Sequence, residues 1–156
     1  MSAEIFMRRA IALSVEQVRA GVGGPFGAVI VKDGRIIAEG ANRVTSSHDP
    51  TAHAEIVAIR NACAALHDFN LAGCEIYTSC EPCPMCLAAI YWARLDRIHY
   101  GNGRADAARI GFDDAFLYDE IAQPLGARRI PTVQLLPDEA EAAFAAWSAK
   151  ADKIPY

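Results

Sequence analysis

Ser79-Cys80-Glu81-Pro82-Cys83-Pro84-Met85-Cys86, with His53-Ala54-Glu55 upstream, decides how the chain is read. Cys83 and Cys86 stand three apart, so on a helix they share one face. Two thiolates so placed hold one metal ion, and His53 offers a third ligand. Three protein ligands leave one tetrahedral position of a zinc ion open to water, which is the arrangement of a catalytic rather than a structural site. Glu55 follows His53 by two. Residues i and i+2 point about 200° apart on a helix, so the pair reads as one ligand plus one acid–base group, not two ligands.

The flanking sequence predicts where these pieces sit. Asp49-Pro50-Thr51 starts a helix over 53–66, 74–78 is a short strand, and 84–93 is a helix apolar nearly all round and so buried. Both metal-binding pieces then fall at helix N-termini, whose partial positive charge favours a thiolate. Residues 3–20 form an amphipathic helix with a wide apolar stripe of Met7, Ile11, Val15 and Val18 flanked by Phe6 and Ala10, begun by Ser2 and ended by Gly21. Asp33-Gly34 turns a hairpin between strands at 28–32 and 35–39. Further strands are expected at 97–100 and 131–136, short helices in 104–121, and a last helix over 138–150. Strands alternating with helices predict one α/β domain over 1–156, a three-layer α/β/α sandwich around a central mixed five-stranded sheet.

Composition narrows the class. A net charge of −4 does not favour a nucleic-acid binder. Three of the five cysteines crowd into 80–86, as metal chemistry rather than a disulfide framework requires. Charges at Glu4, Arg8, Arg9, Glu16 and Arg19 interrupt the N-terminal apolar positions, so no signal peptide is expected. No apolar run reaches the length of a membrane span. The expectation is a soluble protein of a reducing compartment, the cytoplasm. One rival uses Cys80 as a fourth ligand and closes the site; it leaves Glu55 without a role. Cys63 and Cys74 read as packing residues, and His48, His67 and His99 as lone histidines.

The set His53, Glu55, Pro82, Cys83, Cys86 is the H-x-E…P-C-x-x-C signature of zinc-dependent nucleobase deaminases. On it the chain is identified as a member of the cytidine deaminase-like superfamily. It more narrowly resembles the bacterial guanine deaminases. The resemblance lies in GPFGAVIVKDG at 24–34, DPTAHAE at 49–55, 77–86, AIYWAR at 89–94, GFDD at 111–114 and the Tyr156 terminus. It implies hydrolytic deamination of guanine to xanthine and ammonia, with a zinc-generated hydroxide attacking and Glu55 shuttling protons. It also implies that Asp114 is a second carboxylate at the site, and that a homodimer closes each site with the partner's tail, 151–156, ending in Tyr156.

The residues themselves agree. Asn42 offers an amide donor and acceptor to a purine edge, and Phe26 and Trp92 offer apolar faces to a flat base. Plainer readings stand beside these: Asn42 as a turn residue, Phe26 and Trp92 as core, Asp113 and Asp114 as a helix cap, Tyr156 as a frayed end. The alternatives in function are a tRNA adenosine deaminase, a deaminase of another small aminated heterocycle, and a zinc-stabilised binding module without catalysis.

Overall fold

The computed structural model describes residues 2–156. The chain divides into two compact units, the first running to Ala115 and the second Phe116–Tyr156. The first unit contains α1 (Ala3–Ala20), β1 (Gly27–Lys32), β2 (Arg35–Ala41), α2 (Val44–Ser47), α3 (Ala54–Leu66), β3 (Cys74–Cys80), α4 (Pro84–Trp92), β4 (Arg97–Asn102) and α5 (Arg104–Arg109). α6 (Ala115–Ala122) begins at the boundary, and α7 (Pro137–Ala149) lies in the second unit.

The sheet is mixed and runs β2-β1-β3-β4. β1 is antiparallel to both of its neighbours, and β4 is parallel to β3. The apolar run of β1 explains its central place, because its side chains alternate between two cores. Ala28 and Ile30 pack with Ile76, with Ala54, Ala58 and Ala62 of α3, and with Ile90. Val29 and Val31 pack with Tyr77 and with Phe6 and Ala10 of α1. Helices therefore cover both faces, giving the three layers expected.

The number of strands is four among the described residues, not five. Residues 131–136 carry no regular secondary structure and make no ladder, and Leu136 is left-handed, with φ 51°. The second unit holds no other strand, and Pro131 lacks a donor, so the segment has nothing there to pair with.

Two expectations about burial are also corrected. On α1 the expected stripe divides: its flanking residues Phe6 and Ala10 face the core together with Ser14, whereas Ile11, Val15 and Val18 are exposed. α4 buries Cys86 and Ile90 but leaves Tyr91 and Trp92 exposed, at 75% and 65%. In the second unit, the Arg128 guanidinium donates to the carbonyls of Glu120, Ile121 and Gln123, closing the end of α6. Phe144, Trp147 and Tyr156 of that unit are exposed.

Candidate active site

His53 and Cys83 are both N-cap residues, of α3 and α4 respectively, each with extended backbone. Pro84 at the first position of α4 needs no N–H partner and has its φ preset for the helix. Cys86, one turn along, shares the face. The close seat of α3 comes from β2: a Cβ on Gly40 would lie 2.3 Å from the Ala54 carbonyl oxygen and 2.4 Å from Ala58 N. Only glycine lets the first turn of α3 rest on the strand.

The result is a triangle of ligand atoms. His53 Nδ1 lies 3.6 Å from Cys83 Sγ and 3.5 Å from Cys86 Sγ, and all three atoms fall within 4.8 Å of one another. A tetrahedral zinc with Zn–S of about 2.3 Å and Zn–N of about 2.0–2.1 Å separates its sulfur and nitrogen ligands by about 3.5–3.6 Å. The residues present therefore fit zinc. Without a metal, the hydrogen bond from Cys86, then that from His53, lowers the Cys83 thiol to about 4, while Cys86 keeps its proton and is pushed up. A bound dication displaces that shared proton. Cys80, buried at the end of β3, is not part of the triangle; burial, then the Glu55 and Asp114 carboxylates, pushes its thiol up to about 11.

Glu55 is 6% exposed. Desolvation raises its carboxyl, outweighing a backbone hydrogen bond and one with Cys86. It stands beside the metal ligands with a weakened preference for charge, as a group that must both accept and return a proton requires. Asp114 is also raised, first by desolvation and then by the Cys83 thiolate, while Arg104 opposes. The two aspartates differ: Asp113 Oδ1 accepts the Ala115 N–H at 2.9 Å as a cap, and the Asp114 carboxyl is within electrostatic reach of Cys80 and Cys83.

Phe26 packs edge-to-face on Phe112, ring centroids 5.0 Å apart, which joins the loop before β1 to the loop carrying Asp114. Asn42 is buried between that same loop and the residue before His53. Trp92 ends α4, and Tyr156 lies in the second unit. Sequence reading singled out neither Phe112 nor the Glu81–Arg104 pair. Glu81 Oε2 accepts the Arg104 N–H at 3.2 Å, pinning the loop before Cys83 to the start of α5. Their signal was adjacency alone: Phe112 inside GFDD, Glu81 inside the cysteine cluster.

Residues 1–102 match the family model described as the cytidine and deoxycytidylate deaminase zinc-binding region. The chain belongs to this family. Within the deaminases it is 56% identical to the guanine deaminase of Bacillus subtilis over 156 residues, all of both chains. The crystal structure of that protein superposes with a TM-score of 0.98, covering 100% of this chain and 99% of the other. A guanine deaminase from Nitrosomonas europaea aligns at a TM-score of 0.69 and 34% identity, over 73% of this chain and 66% of its own. The tRNA-specific adenosine deaminase of Agrobacterium fabrum is 53% identical, over only 49% of this chain and 51% of its own. A structure of a tRNA:A34 deaminase aligns at a TM-score of 0.64 and 37% identity, over 83% of this chain and 95% of its own.

Proposed function

We propose that the chain hydrolyses guanine to xanthine and ammonia. The observation that carries this is the His53–Cys83–Cys86 triangle of zinc dimensions with a buried carboxyl beside it. Full-length identity of 56% to a guanine deaminase narrows the substrate. When bound, zinc supplies the Lewis acidity that makes water a nucleophile near neutral pH. The protein does the rest. Glu55 takes the proton released by the attacking water and passes it to a ring nitrogen beside C2. It then carries a proton to the departing 2-amino group, so water enters, ammonia leaves, and the carboxyl returns to its starting state. Asp114 serves as the second carboxylate, hydrogen-bonding the base or relaying a proton. Phe26 and Trp92 flank the flat ring, and Asn42 reads its edge.

The chain works as a single deaminase domain in a homodimer, with residues 151–156 of one copy closing the site of the other and Tyr156 lining it. Exposed Ile154 and Tyr156, at 68% and 72%, support an exchange of this tail between copies. Among the described residues no helix is long and apolar enough to cross a membrane, and all five cysteines are free, which suits the cytoplasm.

The test is ammonia release by zinc-loaded enzyme from guanine, adenine, cytosine and a tRNA anticodon stem-loop. Release from guanine, with the others slow, is expected. Faster release from the stem-loop overturns the assignment in favour of tRNA.

A further inference from the structure

Asn42 is held from several sides. Its main-chain N–H donates to the Phe26 carbonyl at 3.1 Å, and the next N–H, of Arg43, donates to the Ala52 carbonyl at 2.9 Å, one residue before His53. Its side-chain Oδ1 accepts the N–H groups of Gly24 and Val44, both at 3.2 Å. Two backbone donors can be met only by the carboxamide oxygen, so the orientation of the amide is fixed by the network. Gly23 completes the enclosure: a Cβ there would lie 1.9 Å from the Asn42 carbonyl oxygen and 3.0 Å from Oδ1. Any side chain at position 23 must displace Asn42.

We propose that Gly23, Gly24 and Val44 form a latch that makes Asn42 a donor-only reader of the base, and that this latch selects 6-oxopurines against 6-aminopurines. The inference rests on the reading that Asn42 meets the purine edge. An unconstrained asparagine pairs with adenine through both ends of its amide, giving a donor to N7 and an acceptor to the N6 amine. Here the acceptor end is committed to the backbone. Guanine presents two acceptors, O6 and N7, to the remaining NH2 group. A 6-amino group in place of O6 brings N–H against N–H, leaving donors unpaired on both sides. Gly23 and Gly24 are positioning residues in this account, since they act on the base only through Asn42.

The experiment measures binding and turnover of guanine and 2,6-diaminopurine by the full-length, zinc-loaded protein. Both bases carry the reacting 2-amino group and differ at position 6, and consequently at N1. The readout is therefore how the ratio between them changes from variant to variant. For the unaltered protein we expect guanine to be preferred by about 10- to 100-fold in kcat/KM, the range for a well-matched polar edge. Asn42→Asp keeps an oxygen for the two backbone N–H groups and replaces the donor end with an acceptor. It should shift the ratio toward 2,6-diaminopurine by at least about tenfold. Gly23→Ala should shift the ratio toward unity, chiefly through KM, with zinc content unchanged; Asn42→Asp stands as the isosteric check if that variant folds poorly. An Asn42→Asp protein with the original ratio overturns the latch. A protein that binds neither base, or an Asn42→Ala variant with unaltered KM for both, overturns the underlying reading and the latch with it.

Discussion

A carboxyl as enclosed as that of Glu55 is retained against its own desolvation, and its neighbours explain why. Glu55→Gln preserves the shape and leaves the three ligand atoms untouched. The expected outcome is turnover lower by about 10²–10⁴-fold, the usual weight of general acid–base catalysis, with one zinc per chain retained. Metal analysis beside initial rates checks this; a glutamine variant with unaltered turnover would remove Glu55 from the proton transfers, and a natural chain with zinc but no turnover on any base would point to a zinc-stabilised binding module. The three ligand atoms were legible in the sequence because metal ligation demands fixed types at fixed spacing, with Cys83 and Cys86 one turn apart and His53 at a second helix start; Glu55 drew notice as the carboxyl two residues beyond His53. Asn42 was only half legible. Its amide was visible as a donor and an acceptor, but the backbone groups that occupy its oxygen come from Gly24, 18 positions earlier, and Val44. No local pattern announces such a bond. Asp113 and Asp114 look alike in sequence and part ways only through which carboxylate caps α6.

Between elements, the contact that sets the depth of α3 is the seam at Gly40. Overpacking of this kind costs about 1–3 kcal/mol. Gly40→Ala should therefore lower stability by that amount and push the α3 N-terminus away from the sheet. Because His53 caps that helix, zinc affinity should fall on the order of tenfold, as when support behind a metal ligand is lost. Competition with a chromophoric chelator measures it; unaltered affinity would mean His53 is held by α4 alone.

A second seam joins α1 to β2. Arg9 Nε and Nη2 donate to the two Glu39 carboxylate oxygens at 2.7 and 2.8 Å, a bidentate pair. The hydrogen bond from Arg9 holds the Glu39 carboxyl below its ordinary value of 4.5. A depressed carboxyl contributes stability above its unfolded pKa and loses it as pH falls through the folded one. Urea titrations of the natural chain and Glu39→Gln should differ by on the order of 1 kcal/mol at neutral pH, given the half-exposed pair, and converge in acid as the pH falls through the lowered pKa of Glu39. A gap that persists in acid would assign the effect to packing. The α1 periodicity announced an apolar stripe without saying which side the sheet would take. Small Ala10 and Ser14 let the helix lie close, so that side won, and Ile11, Val15 and Val18 were left outward. Residues 131–136 failed as a strand for a related reason: a strand is a property of two segments, and the sequence names only one.

For the molecule as a whole, the proposed exchange of tails can be separated from closure within one copy by complementation. Deleting 154–156 should reduce kcat/KM for guanine severely, and Glu55→Gln is expected to be nearly inactive. Mixed under conditions that let copies exchange, the two should regain activity, since the truncated chain keeps Glu55 and receives an intact tail. A mixture as inactive as its parts would place closure within a single copy or dismiss it.

The sheet order carries one more implication, for time rather than for space. β1 finds β2 across a two-residue turn, but its other partner is far along the chain, with Ala28 opposite Thr78. His53 rides on α3, against the β1–β2 hairpin, and Cys83 follows β3. The ligands therefore meet only once this distant pairing has closed, the slow step in chains governed by non-local contacts. Zinc then arrives after the summit of the folding barrier and cannot hasten the climb. Stopped-flow refolding should run at the same rate with and without zinc, while unfolding slows in proportion to the stability the metal adds.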